Sequence, residues 1–162
     1  EGEAGGIECQ FESSPTLNDL IITNNTATQF GGGIQIEQSS PILSNIIISG
    51  NSAGTGDGGG IYCWKEATNI ILQNVDIVDN DAYYGGGLAF KMNASATFLN
   101  VSITGNSATR ESSGTGGGIN CDQNTNLNLD SVIISDNYAT RSGGGINCYG
   151  SSNLIFVKRI FF

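Results

Sequence analysis

Five side chains of this sequence share a chemistry rather than a neighbourhood: Tyr62, Trp64, Lys91, Asp122 and Tyr149. Aromatic rings stack on the C–H faces of a sugar, and ammonium, carboxylate and phenolic groups take its hydroxyls. The set fits carbohydrate binding if the fold brings positions 62 to 149 onto one surface. Acid–base chemistry is harder to assemble. A lyase needs a base aimed at the proton it removes and oxygen ligands for calcium. Lys91 with Asp122 and Glu37 is the grouping available, and Lys91–Asp122 reads equally well as a surface ion pair. A hydrolase needs two carboxylates about 5–10 Å apart, for which Glu8 and Glu37 are the candidates. No residue is assigned a catalytic role. Histidine is absent, which removes His-based triads and His metal ligands. Asp79, Asp81 and Asp136 fall near one corner of the repeat described below, with Gly105 and Ser107 interrupting them. Calcium is the one cofactor they invite, and no metal-ligand set is assigned.

What must position these groups is an internal repeat. The phrase Gly-Gly-Gly-apolar occurs at 31, 58, 85, 116 and 143, with a worn copy, Ala4-Gly5-Gly6-Ile7, at 4. The steps are therefore 27, 27, 27, 31 and 27 residues, a period that marks a solenoid. A second phrase, Ile-x-x-Asn-x-Ala, recurs as ITNNTA, ISGNSA, IVDNDA, ITGNSA and ISDNYA. Around it run three apolar columns: Leu17, Leu43, Leu72, Phe98, Leu129; then Leu20, Ile46, Val75, Val101, Val132; then Ile22, Ile48, Ile77, Ile103, Ile134. The short runs alternate with period two, the signature of strands, and none shows helical spacing at useful length. Stacked coils of about 27 residues with short strands predict an all-β parallel β-helix of about six coils over residues 1–162, a single unit.

Each repeated residue then has a structural task. The glycines mark a corner that needs positive φ or close backbone approach. Asn25, Asn51, Asn80, Asn106 and Asn137 form a ladder at another corner, where Asn tolerates the left-handed region and its amide reaches the next coil. Cys9, Cys63, Cys121 and Cys148 share one inward column with Ile36 and Phe90, so they are expected as buried thiols. Cys121 and Cys148 alone lie on adjacent coils, and whether they are bridged stays open. On the same strand the outward columns read Glu8, Gln35, Tyr62, Ala89, Asn120, Asn147 and Gln10, Glu37, Trp64, Lys91, Asp122, Tyr149. This alternation is what gathers the five opening residues on one lateral face.

The paired marks GGGI and Ile-x-x-Asn-x-Ala resemble the repeat of the chlamydial polymorphic outer-membrane proteins, with isoleucine where that family carries phenylalanine. They also resemble the wider set of right-handed β-helix surface proteins of pectin-lyase-like architecture. The resemblance spans residues 4–153 and implies a right-handed, single-stranded β-helix in a secreted or surface-displayed protein, outer-membrane-associated in a bacterium, often adhesive. It also implies that polysaccharide lies on the first-strand face.

Six basic against 15 acidic residues, net −9, argue against nucleic acid and anionic membranes as partners. No apolar run reaches the roughly 18 residues of a membrane span. The acidic opening EGEAGG lacks the features of a signal peptide, and the chain reads as a piece of a longer protein. The expected function is a structural or adhesive segment that binds a polysaccharide or a surface or matrix protein laterally. The alternatives are a polysaccharide-active enzyme fragment and an ice-binding solenoid, the latter resting on the outward column Thr23, Ser49, Val78, Thr104, Ser135. RESSGT (110–115) lengthens one corner and is a candidate binding loop. Asn24, Asn93 and Asn100 begin Asn-x-Ser/Thr sequons. The final IFVKRIFF departs from the repeat, and an open coil end there invites end-to-end stacking.

Overall fold

A computed structural model describes residues 4–67, 69–109, 111–158 and 160–161. Every regular element among them is a strand. The first sheet stacks Ile7–Cys9, Ile34–Glu37, Ile61–Trp64, Leu88–Phe90, Ile119–Cys121 and Ile146–Cys148 in sequence order. The second stacks Thr16–Thr23, Ile42–Ser49, Ile70–Val78, Ser95–Thr104, Asn126–Ser135 and Asn153–Phe156, with Ile160–Phe161 also on the fifth of these. A third, short sheet joins Asp81–Ala82, Ser107–Ala108 and Tyr138–Ala139. All pairing is parallel and one coil apart, and every apolar column read from the sequence is in register. The solenoid has about five turns, not about six. A turn closes only when the chain returns to the first sheet, so six copies of the first strand delimit five turns.

The interior is apolar. Ile34, Leu43, Ile48, Leu72, Phe90, Phe98 and Ile119 have no measurable exposure, or nearly none for Leu72, and each such side chain contributes about 1.5–3 kcal/mol of burial. Strict alternation fails at one point. Leu43 and Ile46 are three residues apart, yet both face inward. Asn45 between them has φ 55°, and Asp19, Asn74, Asn100 and Ser131 repeat the bend in the other coils. A left-handed residue inserted in each long strand turns it through a corner and resets the alternation.

The asparagine ladder is present. The Asn51 backbone N–H and Nδ2 both donate to Asn80 Oδ1, at 2.9 and 3.0 Å, and Nδ2 also donates to the Ile22 carbonyl at 3.0 Å. Asn80 does the same to Asn106, and Asn106 to Asn137. The positive φ expected of these asparagines lies one residue earlier, at Asn24, Gly50, Asp79, Gly105 and Asp136. The turn is made before the ladder residue, which leaves its side chain free to point inward.

The triple glycine has two separate causes. Gly58 has φ 68°, where a β-carbon is strained. Gly59 has ordinary φ but no room: a β-carbon would lie 2.4 Å from the carbonyl oxygens of both Asp81 and Gly86. The glycine corner and the Asn-x-Ala corner are therefore one contact, with Asn80 Nδ2 only 3.2 Å from a β-carbon placed on Gly60. The two sequence phrases recur together because they pack on each other.

All four cysteines are free, and Cys9, Cys63 and Cys121 are buried as expected. Cys148, on one of the two edge strands of the first sheet, is exposed instead.

Candidate functional site

The register places the outward residues of the first sheet as the sequence has them: Gln35 beside Tyr62, Tyr62 beside Ala89, Asn120 beside Asn147 and Glu37 beside Trp64. Outward does not mean open. Gln35, Tyr62, Ala89, Asn120 and Asp122 are all buried. The residues before each triple glycine, Phe30, Asp57, Tyr84, Thr115 and Ser142, are bridged in parallel from coil to coil, and from this column Phe30 stacks on Tyr62 and Thr115 donates to Asn120. The left-handed first glycine folds this column back over the sheet. A β-carbon on Gly116 would lie 2.7 Å from that of Asn120.

This column divides the five sequence candidates. Tyr62 is packed away, its ring 4.8 Å from Phe30 and 6.3 Å from Trp64. Burial, reinforced by the charge of Asp57, pushes its phenol far above the usual range. Trp64 is half-buried under Lys65, whose Nζ lies 5.0 Å from the ring and 2.9 Å from Glu37. Lys91 does not pair with Asp122. Its Nζ donates to Asp57 Oδ2 at 2.7 Å, and it lies 5.7 Å from the Tyr84 ring. Asp57 belongs to the covering column, a position that the strand alternation does not reveal. Asp122 accepts the Tyr149 hydroxyl at 2.7 Å. Partial burial and then this bond push the Tyr149 phenol up to about 12.

Where the covering column and the sheet meet, a cleft of about 470 Å³ opens. Tyr84, Thr115, Arg141 and Ser142 line it from the corner, and Lys91, Asn120, Asn147 and Tyr149 from the sheet. Two of the five predicted residues, Lys91 and Tyr149, are thus in the cleft. Asp122 supports it through Tyr149, and Tyr62 and Trp64 lie outside its lining. The polar groups are pre-arranged: Thr115 Oγ1 and Asn147 Nδ2 both donate to Asn120 Oδ1 at 2.9 Å. Arg141 makes no ion pair among the described residues. The sequence reading missed Tyr84, Thr115, Arg141 and Ser142, although the fixed offset before Gly-Gly-Gly marked three of them.

Of the described residues of the lengthened corner at 110–115, Thr115 lines the cleft and Glu111, Ser112 and Ser113 do not. Arg110 lies outside the described residues. Gly114 donates to Thr140 Oγ1 at 3.0 Å and accepts from the Arg141 backbone at 2.9 Å, so the loop seats the strand of chain that carries Arg141. Glu111, Ser112 and Ser113 line a separate depression of about 360 Å³ with Tyr83.

The chain matches the right handed beta helix region family over residues 2–161. It belongs to that family. No curated protein and no solved structure matches it. As a right-handed β-helix the chain has a lateral face whose repeated residues build the rod and whose irregular ones line the cleft. Among the described residues, no three His, Cys, Asp or Glu side chains gather as a metal site. No helix among them is long and apolar enough to cross a membrane.

Proposed function

We propose that this right-handed β-helix is a structural or adhesive segment of a secreted or surface-displayed protein and that it binds a glycan in the first-sheet cleft. The observation that carries the reading is the lining of that cleft. Two tyrosines supply ring faces, Asn120 and Asn147 supply oriented amides, and Lys91 and Arg141 supply cationic donors. Few polar groups converging in a concavity beside aromatic surface is the usual form of a small-molecule site. The resemblance of GGGI and Ile-x-x-Asn-x-Ala to the chlamydial outer-membrane repeat supports the surface location. A broad face with short corners suits adhesion better than turnover, since both carboxylates nearest the cleft, Asp57 and Asp122, are already engaged by Lys91 and Tyr149.

Calorimetric titration with acidic and neutral oligosaccharides tests this. Saturable binding by the wild-type chain, weakened at least tenfold by Tyr149→Ala and by Arg141→Ala, is the expected result. Absence of binding across the panel, or binding that neither substitution changes, refutes the assignment of this cleft.

A further inference from the structure

The inward column of the first sheet contains four thiols that glycan binding does not use. Register separates one pair from the rest. Cys9 and Cys63 are two coils apart with Ile36 between them, and Cys63 and Cys121 are separated by Phe90. Cys121 and Cys148 are direct partners on neighbouring strands. Parallel neighbours lie about 4.8 Å apart, within the span of about 4.4–6.8 Å between α-carbons that a disulfide bridges. Two coils, at about twice that distance, exceed it. One of them, Cys148, is exposed, while Cys121 behind it is buried.

We propose that Cys121 and Cys148 form a redox-active pair, which a low-molecular-weight disulfide such as oxidised glutathione closes into an intramolecular bridge. The Cys148 thiolate attacks one sulfur of the reagent, forms a mixed disulfide and expels one small thiolate. The Cys121 thiolate then attacks Cys148 Sγ, breaks the mixed disulfide and expels the second. The protein loses two protons and two electrons, and the reagent is reduced to two thiols. The exposed residue is the entry point because the reagent must reach it, and the buried one resolves the intermediate because its only thiol neighbour is already in register. Burial pushes both thiols up, Cys121 further than Cys148. Thiolate is therefore scarce at neutral pH and the exchange is slow there. The bridge staples the strand Ile146–Cys148 to Ile119–Cys121 across a parallel pair that is otherwise held by backbone bonds.

The test uses the full chain, reduced and then incubated with excess oxidised glutathione at alkaline pH. Intact mass and non-reducing peptide mapping follow. The expected product is the monomer lighter by two hydrogens, with the Cys121 peptide joined to the Cys148 peptide. Cys148→Ser should abolish the link, whereas Cys9→Ala should leave it. Hydrogen exchange at Tyr149, whose backbone N–H donates to the Cys121 carbonyl at 3.1 Å, should slow about tenfold or more in the bridged protein, since opening of that strand is then restrained. Four thiols still open to alkylation when the protein is unfolded in denaturant after long incubation, a glutathione adduct that stays on Cys148, or a Cys148–Cys148 dimer would each overturn the proposal. None of these readouts depends on whether the cleft binds a glycan.

Discussion

Two asparagine ladders run along this solenoid, and they differ in almost everything except residue type. Asn25, Asn51, Asn80, Asn106 and Asn137 climb the interior corner, where Asn51, Asn80 and Asn106 are buried. Asn45, Asn74 and Asn100 climb the exposed bend of the second sheet, with Asn74 Nδ2 donating to Asn45 Oδ1 at 3.0 Å and Asn100 Nδ2 to Asn74 Oδ1 at 2.9 Å. At Asn51, Asn80 and Asn106 the amide meets a backbone carbonyl and a side-chain carbonyl, and the oxygen takes both a backbone N–H and an amide. On the outside, one bond links each pair and water competes for the rest. The sequence keeps Asn in every copy of the inner ladder. In the outer one it accepts Asp19 and Ser131 at the bend. Hydrogen bonds of similar length are thus worth different amounts according to what replaces them when they break.

The comparison can be broken from its inner side first. Gly59→Ala forces a β-carbon against the Asp81 and Gly86 carbonyls beside the buried ladder. We expect a loss of about 3 kcal/mol in urea unfolding, the upper part of the range for overpacking a tight interior. A loss below about 0.5 kcal/mol, the size of an ordinary surface change, would show that the corner is loose and the ladder not rigidly seated.

Next in size is Asn80→Leu. It leaves the Asn51 backbone N–H and amide, and the Ile48 carbonyl, without their partner. The expected cost is about 2 kcal/mol, from the usual penalty for stranded buried polar groups. Equal urea midpoints for variant and wild type would place these bonds in contact with solvent and remove the distinction between the ladders.

The smallest effect should come from the outer ladder. Asn74→Gly keeps the left-handed bend and deletes the exposed bonds, so the expected change is within about 0.5 kcal/mol. Asn74→Val, which cannot hold positive φ without strain, should cost about 1–2 kcal/mol. If the two variants lose the same amount, the side-chain bonds and not the backbone angle govern this corner, and the ladders are alike after all.

The inner corner was legible in the sequence because it repeats. Gly-Gly-Gly and Asn-x-Ala recur in every coil, so sterics and hydrogen bonding at one copy are enforced at the next, and the alignment of phrases is already the register. The second bend was hidden for the opposite reason. Asp19, Asn45, Asn74, Asn100 and Ser131 share a backbone angle, not a side chain, and only the three-residue step between Leu43 and Ile46 betrays it. The candidate site was half legible. Alternation brings Lys91, Asp122 and Tyr149 to one face, as read. It does not say that Phe30, Asp57, Tyr84, Thr115 and Ser142 fold over that face, which buries Tyr62 and gives Lys91 a different carboxylate.

By itself, then, the sequence determined the coil: its period, its apolar columns, its buried ladder and the parallel stacking that follows. These depend on contacts between equivalent residues one period apart, and a period is visible in one dimension. Only the tertiary structure decided which outward residues meet solvent, where the cleft opens and which charges pair. Those depend on contacts between unlike positions of a coil, such as Asp57 with Lys91 and Thr115 with Asn120. Such contacts are set by the path of a corner in three dimensions and leave no repeat to read.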